Sequence, residues 1–147
     1  MKNKEVLSIL SISCIVVILD RLIKYIISNY MDLHQSIPLI QNILHLTYIQ
    51  NTGAGFGILK GWNTVLIFIS LMIIGLILFY FDRIIKEKHI HIPIALIIGG
   101  AFGNLIDRIF LGYVIDFIDF RIWPAFNIAD SCITIGALWL VVYFWKK

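Results

Sequence analysis

The stretch "WNTVLIFISLMIIGLILFYF" (62–81) holds no Asp, Glu, Lys or Arg and shows no alternation of apolar and polar residues. About 20 such residues are what an α-helix needs to cross a hydrocarbon core. Lipid offers no water to satisfy the backbone, so a spanning segment is either a helix or part of a closed barrel, and a barrel strand would alternate. The same reading extends to 6–27, 92–110 and 128–144, the first interrupted near its far end by Asp20, Arg21 and Lys24. Pro38, Pro93 and Pro124 fall at or outside the expected helix ends. The expectation is an all-α integral membrane protein. Four transmembrane helices are expected to form a single membrane-embedded domain over 1–147, with outer segments at 28–61 and 111–127 and a small β-containing part outside the membrane.

Composition agrees. The chain is 60% hydrophobic and 14% charged, with a mean hydropathy of +0.91, more apolar surface than one small water-soluble core needs. A net charge of +3 with scattered basic residues argues against a nucleic-acid partner. Cys14 and Cys132 sit in apolar runs without CxxC spacing and are expected to be small core residues.

Charge also sets an orientation. Lys2, Lys4, Arg83, Lys86, Lys88, Lys146 and Lys147 fall on one side of the four spans, against Lys60 and Arg121 in the loops of the other. The positive-inside rule then puts both termini in the cytoplasm. Asp20, Arg21, Lys24, Asp107, Arg108, Asp116, Asp119 and Asp130 all gather near the outer surface. Ionisable groups at such depth are costly, which marks the cluster as a functional site. No A-x-A-like cleavage site follows the first apolar run, so an uncleaved first helix is expected; "SISC" (11–14) is a poor acylation signal because Ser11 is not a large aliphatic residue.

In the first outer segment, "ILHLTYIQ" (43–50) alternates in part and reads as a short strand. The glycines of "NTGAGFG" (51–57) disfavour a helix there, and the loop lacks the lysine and hydroxyl of a phosphate-binding P-loop. It reads either as a turn or as an extended platform on which a peptide backbone comes close.

The acids carry the chemistry. Hydrolysing an amide takes a base to activate water and an acid to protonate the carbonyl or leaving nitrogen. Two carboxyls sharing one site supply both, because they cannot both ionise cheaply and so retain one proton between them. Asp116 and Asp119 are close in sequence, but a pair gripping a substrate is more easily built from separate elements, with Asp130 as the second member. Asp130 also has a structural reading: Asn127 as N-cap of the fourth helix, with Asp130 completing a variant capping box. On residues alone both readings of Asp130 stand. Asn104 shares a helix face with Asp107 and with Arg108, while Gly99, Gly100 and Gly103 would permit close helix contact.

The blocks "DRLIK" (20–24), "NTGAGFG" (51–57), "GGAFGNLIDR" (99–108), "VIDFIDF" (114–120) and "FNIAD" (126–130) together resemble bacterial lipoprotein signal peptidase, the type II signal peptidase of the inner membrane. The resemblance covers essentially the whole chain. It implies an aspartic endopeptidase that cuts a diacylglyceryl-modified prolipoprotein just before the lipidated cysteine, with Asp116 and Asp130 as catalytic dyad. It makes Asn104, Asp107, Arg108, Asn127, Asp20 and Lys24 the supporting residues and Asn51, Gly53 and Ala129 the substrate-binding ones. Asp119 matches a recurrent family acid outside the dyad. Membrane lipid is the implied surrounding partner, the enzyme monomeric, and neither metal nor other cofactor is implied. Arg21 and Gly55 depart from the usual Gln and Ala, which bears on substrate fit rather than on the reaction.

Other classes fit less well. There is no H-E-x-x-H for a zinc protease, and no nucleophile motif with a histidine inside a span for a serine protease. A proton or ion translocator using Asp20, Asp107 and Asp130 as a relay would need polar groups through the full membrane thickness, and the inner halves of the spans are almost bare of charge.

Overall fold

The computed structural model describes residues 2–53 and 59–147. Its helices are α1 (Lys2–Tyr30), α2 (Asn63–Phe79), the short α3 (Phe81–Ile84), α4 (His91–Phe110) and α5 (Ile128–Trp145), and its strands are β1 (Ser36–Ile40), β2 (Leu44–Asn51) and β3 (Val114–Asp119). The stretches Asn3–Tyr30, Lys88–Phe110 and Ile128–Trp145 are long and apolar enough to cross a membrane, whereas Asn63–Phe79 is a shorter apolar helix. The expected span at 62–81 stops early because the backbone tightens at Tyr80, whose N–H turns back to the Leu76 and Leu78 carbonyls before α3 begins.

α4 is the hub against which α1, α5 and α2 pack. Glycines make this possible. A Cβ at Gly100 would lie 2.4 Å from the Ala129 carbonyl oxygen of α5, and one at Gly99 would lie 2.8 Å from the Ser13 carbonyl oxygen of α1. Backbones this close leave room for a glycine hydrogen but not for a Cβ, the packing mode of helices that gain nothing from hydrophobic contrast with lipid. The Ser13 hydroxyl adds an interhelical hydrogen bond to the Ala95 carbonyl at 2.9 Å. Large apolar residues such as Leu10, Phe68, Met72, Leu138 and Val141 point outward, the arrangement a bilayer rather than water rewards. Cys14 is one of these outward residues and Cys132 is half-buried, which corrects the expectation that both are core. In lipid an apolar side chain has no reason to turn inward.

Asp20, Arg21 and Lys24 do not interrupt the first helix. α1 runs through them because Asp20 and Lys24, both fully buried, pair with each other one turn apart at 2.7 Å.

The extramembrane part is a three-stranded antiparallel sheet in the order β1-β2-β3. The strand expected at 43–50 is β2; β1 and β3 were not foreseen. β1 is an exposed edge strand, which is where Pro38 is tolerated. β3 is covered on both faces, so "VIDFID" shows no alternation to reveal it. Pairing passes from Leu46↔Ile118 to Ile49↔Asp116, leaving Thr47 and Tyr48 opposite Phe117 in a bulge. Ile27 of α1 and Met31 just past its end pack with Tyr48, Ile115 and Phe117, fixing the sheet to the end of the first helix.

Candidate active site

Asp116 is the third residue of β3 and Asp130 lies in the first turn of α5. Asn127 joins them. As N-cap of α5, its side-chain oxygen accepts from the Asp130 backbone N–H at 2.8 Å, and its amide group donates to Asp116 Oδ1 at 2.7 Å. The Asn127 backbone N–H donates back to Asp130 Oδ2 at 3.4 Å, completing a capping box. The capping role and the proximity of the two acids are therefore consequences of one residue.

Three asparagine amides face the two carboxyls, and each is held by a donor on its oxygen. Asn104 Oδ1 accepts from Lys24 Nζ at 3.0 Å, which turns its NH2 toward Asp130 Oδ1 at 2.7 Å. Asn51 Oδ1 accepts from the Gly53 N–H at 2.9 Å, so its NH2 meets Asp116 Oδ2 at 2.9 Å. Asn127 follows the same pattern. A lysine or a peptide N–H can only donate, so these neighbours set which end of each amide the acids see.

Behind the asparagines lies a buried ion cluster. Lys24 pairs with Asp20 and, at 2.8 Å, with Asp107, which also pairs with Arg21 and accepts from the Ile115 N–H at 3.2 Å. Asp20 accepts from the Ala129 N–H at 3.0 Å. With Asn127 on the Asp130 N–H, two of the free donors at the start of α5 are satisfied. The cluster thus binds α1, α4, β3 and α5 together at the level of the acids. Asp107 and Arg108, neighbours in sequence, turn to different partners. Arg108 faces the acids' cleft, 3.5 Å from the Gly53 carbonyl, and the Asn63 amide holds its own carbonyl at 3.0 Å.

Asp116, Asp130, Asn51, Gly53 and Arg108 line a cleft of about 520 Å³ whose further wall is Trp123 to Phe126 and the α5 residues Ser131 and Ile133 to Ile135. Burial, followed by the charge of Asp130, pushes the Asp116 carboxyl up to about 7 against the lowering effect of the Asn51 and Asn127 hydrogen bonds. Asp119 behaves in the opposite way. Burial raises it, but hydrogen bonds from the Arg121 N–H, the Thr47 hydroxyl and the Arg121 guanidinium outweigh that and hold it below the usual carboxylate range. It lies on the sheet, away from the cleft.

Ala129, expected to touch substrate, is fully buried beside Gly100 and Gly103. A side chain larger than a methyl would force α4 and α5 apart there. The platform expected at 51–57 is described only as far as Gly53; residues 54–58, Gly55 among them, lie outside the described residues. The sequence reading did not mark Trp123, Ile133 or Ile135 as cleft walls. The signal available was their place on either side of the "FNIAD" block.

Residues 12–146 match the family model described as Signal peptidase (SPase) II. Relatives named lipoprotein signal peptidase include those of Halothermothrix orenii (47% identical, covering 90% of this chain and 92% of that one), Syntrophus aciditrophicus (44%, 99% and 96%) and Clostridioides difficile (42%, 85% and 86%). A solved bacterial membrane enzyme superposes with a TM-score of 0.86 at 37% identity, covering 94% of this chain and 87% of that one.

Proposed function

The chain belongs to the signal peptidase II family, and we propose that it carries out the family's reaction, removal of the signal peptide from a prolipoprotein, with Asp116 and Asp130 as its catalytic pair. The observation that carries the assignment is the shared Asn127. It bonds both acids in a cleft where Asp116 is pushed up to about 7, so near neutral pH the pair retains one proton between them.

Water held between the two carboxyls loses a proton to the ionised one while the protonated one donates to the scissile carbonyl. On collapse the roles reverse and the leaving nitrogen takes the proton. The Asn51, Asn104 and Asn127 amides hold the carboxyls in place, and Arg108 stands ready for a carbonyl oxygen or a developing negative charge. The substrate carries a diacylglyceryl group on the cysteine that follows the cut. An apolar hollow of about 200 Å³ between α2, α4 and α5, lined by Leu66, Ile69, Ile73, Ile97 and Ile133, reaches Asp130 and Arg108 from the bilayer side. Exposing an acyl chain to water would cost about 0.8 kcal/mol per CH2, so the substrate's chains stay in the apolar phase and reach the hollow laterally from lipid.

In this reading the protein is a single monomeric domain of the bacterial cytoplasmic membrane with four spans. α2, with a rise of about 26 Å, crosses with the help of α3. Both termini lie in the cytoplasm and the dyad lies near the outer face. The test is cleavage of a diacylglyceryl-modified lipobox peptide by purified protein in liposomes with a chelator present. Wild type and Asp119→Asn should cut before the lipidated cysteine, and folded Asp116→Asn and Asp130→Asn should not. Cleavage persisting in either dyad variant would remove the acids from the mechanism.

A further inference from the structure

Ile122 is 94% exposed, the highest value of any large hydrophobic residue among the described residues. It is placed there by strain. Arg121 takes a φ of 66° in the left-handed region, and the Ile122 N–H closes a tight turn on the Phe120 carbonyl at 2.8 Å. A non-glycine residue holds this conformation only when its surroundings insist on it. Here Asp119 does so, accepting from the Arg121 N–H at 2.7 Å and from its guanidinium at 3.1 Å, and itself tied to β2 by the Thr47 hydroxyl at 2.9 Å. The acid outside the catalytic pair therefore braces a turn whose product is an apolar tip.

The neighbouring residue shows what the tip meets. Trp123 walls the same cleft as Ile133, Thr134 and Ile135 of α5. Those residues lie about 8 to 11 Å along the helix axis from its start, and Ile135 is itself 54% exposed on a helix apolar enough to cross a bilayer. The turn thus leans over the lipid-facing side of α5 rather than standing away from it. We propose that Ile122 and Trp123 form a wedge seated in the interfacial layer of the bilayer, its partner the headgroup and upper acyl region of the lipid beside the cleft mouth. The irregular backbone of 120–124 keeps it out of the hydrocarbon core, where unpaired peptide groups are not tolerated. A tryptophan at headgroup depth, next to a half-exposed arginine, suits that layer. The inference needs only that α5 lies in the membrane and is independent of the chemistry assigned to the acids.

The test uses the full chain in liposomes with Cys14→Ala, Cys132→Ala and Ile122→Cys, the new thiol carrying an environment-sensitive dye. Leu138→Cys, which replaces an outward residue deeper in α5, is the control. At position 122 a spin label just below the lipid headgroup should quench more than one at the acyl chain end, with most iodide quenching lost relative to free dye. At position 138 the order of the two lipid labels should reverse. Full quenching of the 122 dye by iodide with none by either lipid label would overturn the wedge, and so would a depth profile matching that of position 138.

Discussion

Removing the Asn51 amide should move the alkaline limb of the pH profile upward. Its NH2 donates to Asp116 Oδ2 at 2.9 Å, a contact that favours the ionised carboxylate and works against the burial and the Asp130 charge that raise Asp116 to about 7. A hydrogen bond to a charged group contributes about 1.5 to 3 kcal/mol. A neutral carboxyl still accepts part of that bond and cleft water replaces another part, so the lower end applies. At 1.36 kcal/mol per unit, Asn51→Ala should raise the pair's upper apparent pKa by about one unit. Catalysis needs one proton on the pair, so kcat/KM falls as that proton is lost: with a midpoint near 7 in wild type and about one unit higher in the variant. The assay is kcat/KM for the lipidated peptide against pH, with folding checked by thermal unfolding at each pH. A limb that stays put or moves down in a folded variant would refute the idea that Asn51 steadies the ionised acid. A wild-type rate that stays flat through neutral pH would refute the shared proton.

Asp116 also links stability to pH. Its folded-state pKa is raised from 3.8 to about 7, so the folded state holds a proton that the unfolded chain releases between those values. The stability this contributes is complete below the lower value and lost as pH rises to the upper one; the melting temperature should fall across that window and then level off, and Asp116→Asn should flatten the slope. Lys24→Met strips the cation from two fully buried carboxylates, Asp20 and Asp107. Breaking a buried pair costs about 3 to 5 kcal/mol; with Arg21 still on Asp107 the loss should sit near the lower end in thermal unfolding, while Lys60→Met, at an exposed lysine, changes nothing measurable. Gly100→Ala puts a methyl 2.4 Å from the Ala129 carbonyl oxygen and should cost at least about 1 to 3 kcal/mol, because the obstacle is backbone. Gly75→Ala, with nothing within 4 Å, should be neutral or slightly stabilising in the same assay.

Much of the molecule is legible in the chain because bilayers impose a length and a composition. The helix positions, the collection of charge at one depth and the N-cap at Asn127 all follow from residues read one after another, since each depends on local spacing or on the medium. Family motifs spread over the chain add the family and, by resemblance, point to Asp116 and Asp130. What a linear reading does not reach is whatever depends on two distant segments meeting. β3 was hidden because burial on both faces erased its alternation. The ion-pair partners of Asp107 are 83 and 86 residues away on α1, beyond any local spacing. Residue order does not tell that α4 covers Ala129, a residue the resemblance places at the substrate.

Sequence was sufficient for the medium, the helices and the family, because hydropathy and motif spacing are local quantities. Tertiary structure was needed to say that Asn127 carries both acids, that Lys24 orients Asn104 from behind, and that Asp119 braces the turn ending in Ile122. Hydrogen-bond polarity and carboxyl basicity depend on which groups the fold brings within about 3 Å, and nothing in residue order encodes that distance directly.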